Sequence, residues 1–301
     1  MGETASGKSA LALALARRCP DVELVSVDSM QVYRGMDIGT AKATPAERAE
    51  VPHHLLDLVD PSEDFTVASF QRAFGTALAG IEAKGHRAVL VGGTGLYLRA
   101  VIDALTIPGR YPEVRAELEH EPDTIALHRW LAERDPVAAA RMLPGNRRRV
   151  LRALEVTIGS GRPFSSFGPG LGAYPPTPFR LLGVRLAPGV VARRIQDRYH
   201  RQLAAGFVEE VRALAARPGG ISRTARQALG YRELLAHVAG ETSLEEAVDE
   251  AVRRTRRFAR RQRVWFRRDP RVVWLGAAAG ADTGAGDPEA LLPALLAAYP
   301  R

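Results

Sequence analysis

Apolar and polar residues follow two different periods along this chain, and the change of period predicts its elements. Short apolar runs at 22–27, 87–91 and 179–185 are typical of buried strands. Helical spacing of apolar residues is found at 10–17 and at 65–83, beside the first two of these runs. Strands that alternate with helices predict a parallel sheet flanked by helices, which is the α/β class.

A long middle segment lacks the strand pattern. From Pro112 to about Gly161 the spacing is wholly helical, and a strand candidate returns only afterwards. This order predicts a helical insertion between strands of one sheet rather than a second domain in tandem. The expected division has three parts: a discontinuous core of residues 1–110 and 166–276, an insertion of residues 111–165, and a loosely held tail of residues 277–301.

The residues GETASGKS at positions 2–9 carry the clearest motif, because they fit the phosphate-binding pattern G-x-x-x-x-G-K-[ST]. Glycines in such a loop allow backbone N–H groups to surround a diphosphate. Lys8 supplies a positive charge, and the Ser9 hydroxyl can hold Mg²⁺. The helix that follows directs its positive end at the anion. Only Met1 precedes the motif, so we expect no first strand leading into this loop.

Two further features are expected at the same edge of the sheet. Asp28 directly follows the strand at 22–27, and the glycine cluster at 92–95 follows the strand at 87–91. In open α/β sheets the carboxyl ends of the strands face the ligand crevice, so both features should lie near the phosphate loop. His53 and His54 are adjacent, and neighbours on a strand point to opposite faces, which argues against a metal-binding pair.

Composition narrows the classes of function. The chain has 301 residues, a net charge of +8 and one cysteine, Cys19. A single cysteine excludes an internal disulfide and a cysteine-based zinc site, and it favours a cytoplasmic protein. No apolar stretch is long enough to cross a membrane. The excess of arginine suits contact with phosphates or nucleic acid, although GC-rich coding sequence also enriches arginine.

Two arginine clusters are candidates for binding a polyanion. Arg148, Arg149 and Arg152 share one side of a predicted helix, and nine of the sixteen residues from 253 to 268 are arginine. Such clusters attract RNA phosphates strongly at low salt. The alternative is that they are solvated or paired within the chain. The available acidic partners near the second cluster are Glu245, Glu246, Asp249 and Glu250.

Several longer stretches occur in a fixed order and form one pattern. They are the loop at 2–9, Ser26–Lys42, Val51–Leu55, Asp60–Pro61, Gly92–Tyr97, Arg152–Glu155, Gly230–Tyr231 and Arg260–Trp265. This pattern resembles that of the bacterial tRNA dimethylallyltransferases over about residues 2–275. The resemblance implies a core similar to P-loop nucleotide kinases, with a helical insertion that grips the anticodon stem-loop of tRNA.

The resemblance also implies a reaction. In this family a dimethylallyl group moves from dimethylallyl diphosphate to N6 of the adenosine 3′-adjacent to the anticodon, in tRNAs that read codons beginning with U. The implied cofactor is Mg²⁺, and the implied state is a monomer without an obligate protein partner. Because an exocyclic adenine amine must lose a proton to react, a carboxylate has to reach it. By resemblance this base is Asp28, and Thr4 and Arg198 match catalytic positions that contact the diphosphate.

Two sets of binding residues follow from the same resemblance. The diphosphate set is Gly2, Glu3, Thr4, Ala5, Ser6, Gly7, Lys8 and Ser9, with Ser9 also the magnesium ligand. The tRNA set is Asp28, Ser29, Met30, Gln31, Thr94, Arg115, Arg148, Arg149, Arg152, Gln227, Gly230, Tyr231 and Arg232. One residue departs from the family pattern: Glu3 stands where the family usually has proline, so a carboxylate is expected beside the phosphate site.

Three alternative functions share some of these features. A small-molecule kinase would have the phosphate loop and the sheet, but it would not need the arginine clusters. A transferase that prenylates free adenine nucleotides would have the same chemistry with less RNA-binding surface. An RNA-binding protein without enzymatic activity would explain the arginines but not Asp28 or the phosphate loop.

Overall fold

The computed structural model describes residues 1–276 and 288–298, and the chain divides into two compact units. The first unit contains Met1–Ile102 and the chain from Thr177 onward, and the second contains Asp103–Pro176.

Strands and helices alternate in the first part of the first unit, as the apolar pattern predicts. They are α1 (Lys8–Arg18), β1 (Val22–Val27), α2 (Pro45–Glu50), β2 (His53–His54), α3 (Val67–Glu82), β3 (Arg87–Gly92) and α4 (Gly95–Ile102). The second unit contains only helices among its regular elements, apart from a short 3₁₀ turn at Phe164–Phe167. These helices are α5 (Pro112–Glu119), α6 (Thr124–Arg134), α7 (Pro136–Ala140) and α8 (Arg147–Ser160).

The chain then returns to the first unit with two strands and five helices in the described residues. They are β4 (Leu182–Arg185), α9 (Pro188–Ala204), α10 (Phe207–Ala215), α11 (Tyr231–Val238), α12 (Leu244–Phe266), β5 (Val273–Gly276) and α13 (Leu292–Ala298). The mixed α/β class predicted from the sequence is therefore confirmed.

All of the strand pairing is parallel. One sheet has the order β2-β1-β3, and β4 pairs with β5 in a second sheet. Val27 pairs with Gly92, so the carboxyl ends of β1 and β3 lie side by side. The residues that follow these two strands are consequently brought to the same edge.

No strand precedes α1 in the described residues, but the start of the phosphate loop still pairs with β4. Gly2 forms a parallel bridge with Val184 of β4, and the Val184 N–H donates to the Met1 carbonyl oxygen over 2.8 Å. Strand pairing uses backbone groups alone, so even these few residues occupy a position beside β4.

The second unit has a hydrophobic core of its own. Leu127 and Leu131 of α6 and Val150 and Leu154 of α8 are completely buried. The predicted bounds of the insertion are too narrow at both ends. The second unit also contains residues 103–110 and 166–176, which we expected in the core. Arg152 of α8 helps to hold the first segment in this unit, because its guanidinium donates to the carbonyl oxygens of Pro108 and Gly109.

The expectation of a loosely held tail is wrong for residues 288–298. A 3₁₀ turn leads into α13, whose Leu292 and Leu295 are buried in a cluster with Leu11 and Leu15 of α1. The leucines of this short helix are spaced for one apolar face, and burying that face outweighs the Ala- and Gly-rich composition around it. The remainder of the predicted tail, residues 277–287 and 299–301, lies outside the described residues. Within the described part of the chain, no helix has the length and hydrophobicity needed to cross a membrane.

One of the two adjacent histidines, His54, contacts a buried carboxylate on β1. Glu23 is 1% exposed, and its carboxylate oxygens lie 2.5 Å from His54 Nε2 and 2.7 Å from His86 Nδ1. Lys84 donates to the same carboxylate over 3.1 Å. Burial raises the pKa of Glu23, but the hydrogen bonds from His54, His86 and Lys84 outweigh burial and lower this pKa to about 2.

Glu23 is expected to make stability dependent on pH in the acid range. Its folded-state pKa of about 2 lies below the ordinary value of 4.5, so its stabilising contribution is present above about pH 4.5 and is lost as the pH falls toward 2. A shift of this size corresponds to about 3 kcal/mol of unfolding free energy. Denaturant unfolding of the wild type and of Glu23→Gln between pH 7 and pH 3 measures this contribution. The stability difference should shrink toward pH 3, and a difference that does not change with pH would contradict the assignment.

Candidate active site

The Gly2–Ser9 loop has the backbone of an anion-binding turn. Ala5 and Gly7 have left-handed φ angles of 64° and 87°, and the residues around them continue into α1. Alternation of right- and left-handed residues makes successive N–H groups converge on one point, where an anion binds. Lys8 is the first residue of α1, and the Leu11 N–H closes the first helical turn on the Gly7 carbonyl oxygen over 3.0 Å. The loop therefore leads directly into a helix N-terminus, which favours negative charge.

Two cationic residues and one carboxylate interact beside this loop. Burial lowers the pKa of Lys8, and the Asp28 carboxylate opposes this shift whereas Arg198 adds to it. Burial also lowers the pKa of Arg198. Tyr199, and after it Asp28, act in the opposite direction and raise this pKa. Lys8, Asp28 and Arg198 thus lie close enough to influence one another, although they are far apart in the sequence.

The loops that follow β1 and β3 are joined by hydrogen bonds. Asp28 begins the first loop, and its Oδ1 accepts the Met30 N–H over 2.8 Å. The Ser29 N–H donates to the Thr94 hydroxyl oxygen over 3.2 Å, which connects this loop to the glycine turn after β3. The sequence prediction that Asp28 and the glycine cluster share one edge of the sheet is therefore confirmed.

The amide of Gln31 is fully engaged within the chain, which changes our expectation for its side chain. Its Oε1 accepts a hydrogen bond from the Ser26 hydroxyl over 2.7 Å. Its Nε2 donates to the carbonyl oxygens of Thr40 and Ala41 over 3.1 and 3.2 Å. An amide nitrogen has two N–H donors, and both are used here. In this structure the Gln31 side chain holds a loop, and it has no free N–H for RNA.

The loop at residues 37–39 is fixed by polar side chains that the sequence analysis missed. One carboxylate, that of Glu210 on α10, accepts the N–H groups of Asp37, Ile38 and Gly39 over 2.8, 2.7 and 3.2 Å. Gln202 donates to the Gly39 carbonyl oxygen over 3.0 Å. Arg198 donates to the same oxygen over 3.2 Å, so this loop contacts one of the candidate catalytic residues.

Tyr231 is part of the same arrangement, which corrects its assignment to the tRNA-contacting surface. Its side chain is completely buried, and its hydroxyl donates to Glu210 Oε1 over 2.6 Å. Its ring meets Phe207 edge-on, with centroids 5.0 Å apart. A Cβ at Gly39 would lie 2.3 Å from the Phe207 ring, so only glycine fits there. Tyr231 was predicted from its motif alone, and a motif does not reveal which way a ring points.

Two other predicted tRNA-contacting residues of this segment lie at the surface, whereas Gly230 is buried. Gln227 and Arg232 are exposed, and they flank Gly230, whose φ of 88° begins α11. These two side chains are available to a partner from solution.

The arginine-rich helix α12 also contacts the Gly2–Ser9 loop, which the sequence analysis did not anticipate. The buried Gln262 accepts the Thr4 N–H on its Oε1 over 2.8 Å and donates from its Nε2 to the Gly93 carbonyl oxygen over 2.8 Å. Gln262 thereby joins the loop to the glycine turn after β3. The next residue, Arg263, forms a bidentate ion pair with Glu3.

The α12 arginines fall into two groups, those paired within the chain and those exposed to solvent. Glu250 pairs with Arg253 and Arg257 over 2.9 Å, and Arg254 pairs with Glu233. Glu246, by contrast, caps the N-terminus of the helix through Ser243. A further group is exposed and lines a shallow depression on α12 together with Val264 and the half-buried Trp265: Arg260, Arg261 and Arg268.

The arginines of the second unit divide in the same way. Arg148 and Arg149 are exposed in the first turn of α8, and no ion pair of theirs is found within the described residues. Arg152 is instead held inside the unit, with Glu155 at 2.5 Å. Arg115 pairs with Glu119 over 2.7 Å. Arg152 therefore differs from Arg148 and Arg149, because residues three positions apart on a helix are neighbours and Arg152 pairs with Glu155.

Ser9 is the one predicted metal ligand, and its role stays a prediction. It is exposed beside Lys8 in the first turn of α1. Magnesium in nucleotide-type sites takes few protein ligands and completes its shell with water and substrate phosphates. The described residues contain no group of three His, Cys, Asp or Glu side chains that could hold a metal ion.

A protein-family model matches most of the chain, from residue 31 onward. The model of the family described as IPP transferase matches residues 31–269 of the chain. The chain belongs to the IPP transferase family. The matched residues include the loop held by Glu210, helix α12 and the whole of the second unit.

Individual relatives extend the match across most of the chain. It is 48% identical to the tRNA dimethylallyltransferase of Geobacter metallireducens over 91% of its length and 90% of that protein. It is 50% identical to the tRNA dimethylallyltransferase of Streptomyces coelicolor, over 91% and 88% of the two chains. The crystal structure of the tRNA isopentenylpyrophosphate transferase of Bacillus halodurans superposes with a TM-score of 0.67 at 35% identity, over 99% and 94% of the two chains.

Proposed function

We propose that this chain is a tRNA dimethylallyltransferase. It transfers the dimethylallyl group of dimethylallyl diphosphate to N6 of the adenosine 3′-adjacent to the anticodon, in tRNAs that read codons beginning with U. The observation that carries the proposal is the meeting of a diphosphate-type loop with Lys8, Arg198 and the Asp28 carboxylate at one edge of a parallel sheet. Relatives about half identical to the chain carry this activity in their names.

The donor half of the reaction uses the positive side of this edge. When the bond between the allylic carbon and the diphosphate oxygen breaks, both electrons pass to the oxygen and its negative charge grows. Lys8, Arg198 and the N–H groups of the Gly2–Ser9 loop stabilise that charge more strongly in the transition state than in the bound donor. Mg²⁺ held by Ser9 would add a further positive charge against the leaving diphosphate.

The acceptor half uses the carboxylate. As the bond from N6 to the allylic carbon forms, the amine nitrogen becomes positively charged and must release a proton. Asp28 receives this proton as general base. The target adenosine has to leave its base stack to reach a site at the end of β1, as in other enzymes that modify bases.

The two units receive different roles in this proposal. We assign the first unit the architecture of a P-loop kinase-like core, which binds the donor. We assign the helical second unit to the anticodon stem-loop, through the exposed Arg148 and Arg149 at the positive end of α8. The exposed arginines of α12 supply a second phosphate-binding surface.

One experiment separates this function from its rivals. The protein is mixed with Mg²⁺, dimethylallyl diphosphate and unmodified tRNA, and the digested RNA is examined by mass spectrometry for dimethylallyladenosine. Parallel reactions contain free adenine nucleotides, or ATP with small acceptors. Modification of the nucleotide but not of the tRNA would favour the free-nucleotide transferase, consumption of ATP would favour the kinase, and binding of tRNA without any product would favour a non-enzymatic RNA-binding protein.

The role of the second unit predicts a change in the salt dependence of RNA binding. Arg148→Ala/Arg149→Ala should reduce the slope of log K against log[salt] by up to about two units, since each arginine that contacts a phosphate contributes about one. The measurement is tRNA affinity between low and moderate salt.

A matched control tests whether this effect is local. Arg129→Ala/Arg134→Ala removes the same charge from exposed positions on α6, in the same unit. Two results would contradict the role of Arg148 and Arg149. The first is an unchanged slope in Arg148→Ala/Arg149→Ala, and the second is an equal reduction of the slope in both double variants.

A further inference from the structure

A buried carboxylate lies within the loop that should bind an anion. Glu3 is the second residue of the Gly2–Ser9 loop and is 3% exposed. Its own backbone is part of the turn, because its carbonyl oxygen accepts the Ser6 N–H over 3.2 Å. An uncompensated negative charge here would repel a diphosphate, and burial strengthens such repulsion because the local dielectric constant is low.

Arg263 of α12 meets this carboxylate with both arms of its guanidinium. Nε lies 3.2 and 3.1 Å from the two carboxylate oxygens, and Nη2 lies 2.9 and 2.8 Å from them. The Arg263 side chain is only 19% exposed, so the pair is shielded from solvent. The adjacent Gln262 holds the Thr4 N–H, and therefore both contacts of α12 fall on consecutive loop residues.

We propose that Arg263 is a positioning residue of the donor site, which cancels the charge of Glu3 and thereby allows the Gly2–Ser9 loop to accept a diphosphate. The inference rests on the proposed function, because it takes dimethylallyl diphosphate as the ligand of this loop. It assigns to one arginine of α12 a task directed at the donor, distinct from the RNA phosphates proposed for the exposed arginines of the same helix.

The charges around Glu3 determine what the loss of Arg263 would do. Burial raises the pKa of Glu3, and Arg263 opposes this through its hydrogen bonds and its charge, followed by Arg267 and Arg185. Lys8 also faces Glu3 from the start of α1. Without Arg263 the largest opposing influence is gone, so Glu3 would exchange a proton nearer to neutral pH. Diphosphate binding would then become sensitive to pH in a way that follows the charge on Glu3.

The test uses the binding of inorganic diphosphate to the full chain, measured by calorimetry without RNA at pH 6 and pH 8.5. Each Kd is divided by the wild-type value at the same pH, which removes the titration of the ligand itself. Arg263→Gln should bind about tenfold more weakly at pH 8.5 and within about threefold of the wild type at pH 6. At pH 8.5 the double variant Glu3→Gln/Arg263→Gln should recover most of the lost diphosphate affinity. Arg263→Lys should bind diphosphate nearly as tightly as the wild type, because it keeps the positive charge.

Glu3→Gln alone tests the inference in the opposite direction, through an increase rather than a loss of diphosphate affinity. This test remains valid even if Arg263→Gln fails to fold. Glu3→Gln leaves the positive charge of Arg263 unpaired beside the loop, so it should bind diphosphate at least as tightly as the wild type. Arg17→Gln is the matched control, because it breaks another bidentate pair, with Glu50 at the far end of α1, and it should leave the Kd unchanged.

Specific results would overturn the inference. They are an equal Kd for Arg263→Gln and wild type at pH 8.5, a double variant no better than Arg263→Gln, or weaker binding by Glu3→Gln. The proposed function fails separately, if the wild type binds no diphosphate or forms no dimethylallyladenosine on tRNA.

Discussion

Asp28→Asn is expected to reduce turnover by about 10²–10⁴-fold while the affinities for tRNA and donor change little. Asparagine has nearly the same shape, and its side-chain oxygen can still accept the Met30 N–H that Asp28 Oδ1 accepts over 2.8 Å. It cannot take the proton that N6 of the adenosine must release. The loss should therefore appear in the rate constant of the chemical step, measured in single-turnover experiments with tRNA and donor both saturating.

Asp21→Asn is the matched control for this prediction. Asp21 lies just before the amino end of β1, where it pairs with Arg87, whereas Asp28 follows the carboxyl end of the same strand. The control removes one carboxylate from the same strand without touching the edge that carries Lys8 and Arg198. Turnover of Asp28→Asn close to that of the control would show that another group serves as the base.

Lys8→Ala is the second substitution for which we expect a large effect, with kcat/KM for the donor falling by about 10²-fold or more. Lys8 lies at the start of α1 among groups that burial removes from water, and there a positive charge acts on an anion with little screening. Because negative charge on the leaving diphosphate grows as the allylic bond breaks, kcat should fall in addition to the rise in KM.

The comparison for this variant is Lys84→Ala, which removes a lysine that pairs with Glu23 just before β3. The KM for tRNA should remain near its original value in both variants. Donor kinetics that Lys8→Ala leaves unchanged would mean that the Gly2–Ser9 loop does not bind the donor.

The contacts of Glu210 and Gln262 explain how the candidate site is held together. Glu210 fixes three N–H groups of one loop, and Gln262 joins the Gly2–Ser9 loop to the turn after β3. Both side chains come from helices far along the chain from the loops that they hold. The bond from Gln262 to the Gly93 carbonyl oxygen is buried and would be costly to lose, since a stranded polar group there cannot recover its partner from water. The site is therefore maintained by helices α10 and α12 as much as by the sheet.

The local elements and the chemistry that each can carry could be predicted from the sequence. The bounds of β1, the glycine turn after β3 and the helical character of the second unit follow from apolar spacing and turn residues, which act over short distances. The Gly2–Ser9 loop and Asp28 at the end of a strand were recognisable for the same reason: their signals lie in consecutive residues. Membership of the IPP transferase family likewise rests on motifs that can be read in order along the chain.

Contacts between distant parts of the chain set which polar side chains serve the site and which are committed elsewhere. Gln31, Arg152 and Tyr231 are bound within the chain, although their motifs suggested contact with RNA. Arg263 looked like one more member of a charged helix, yet it pairs with Glu3, which lies 260 residues away in the sequence. The physical reason is that a hydrogen bond or ion pair depends on distances of about 3 Å between side chains, and chain folding sets those distances independently of sequence separation.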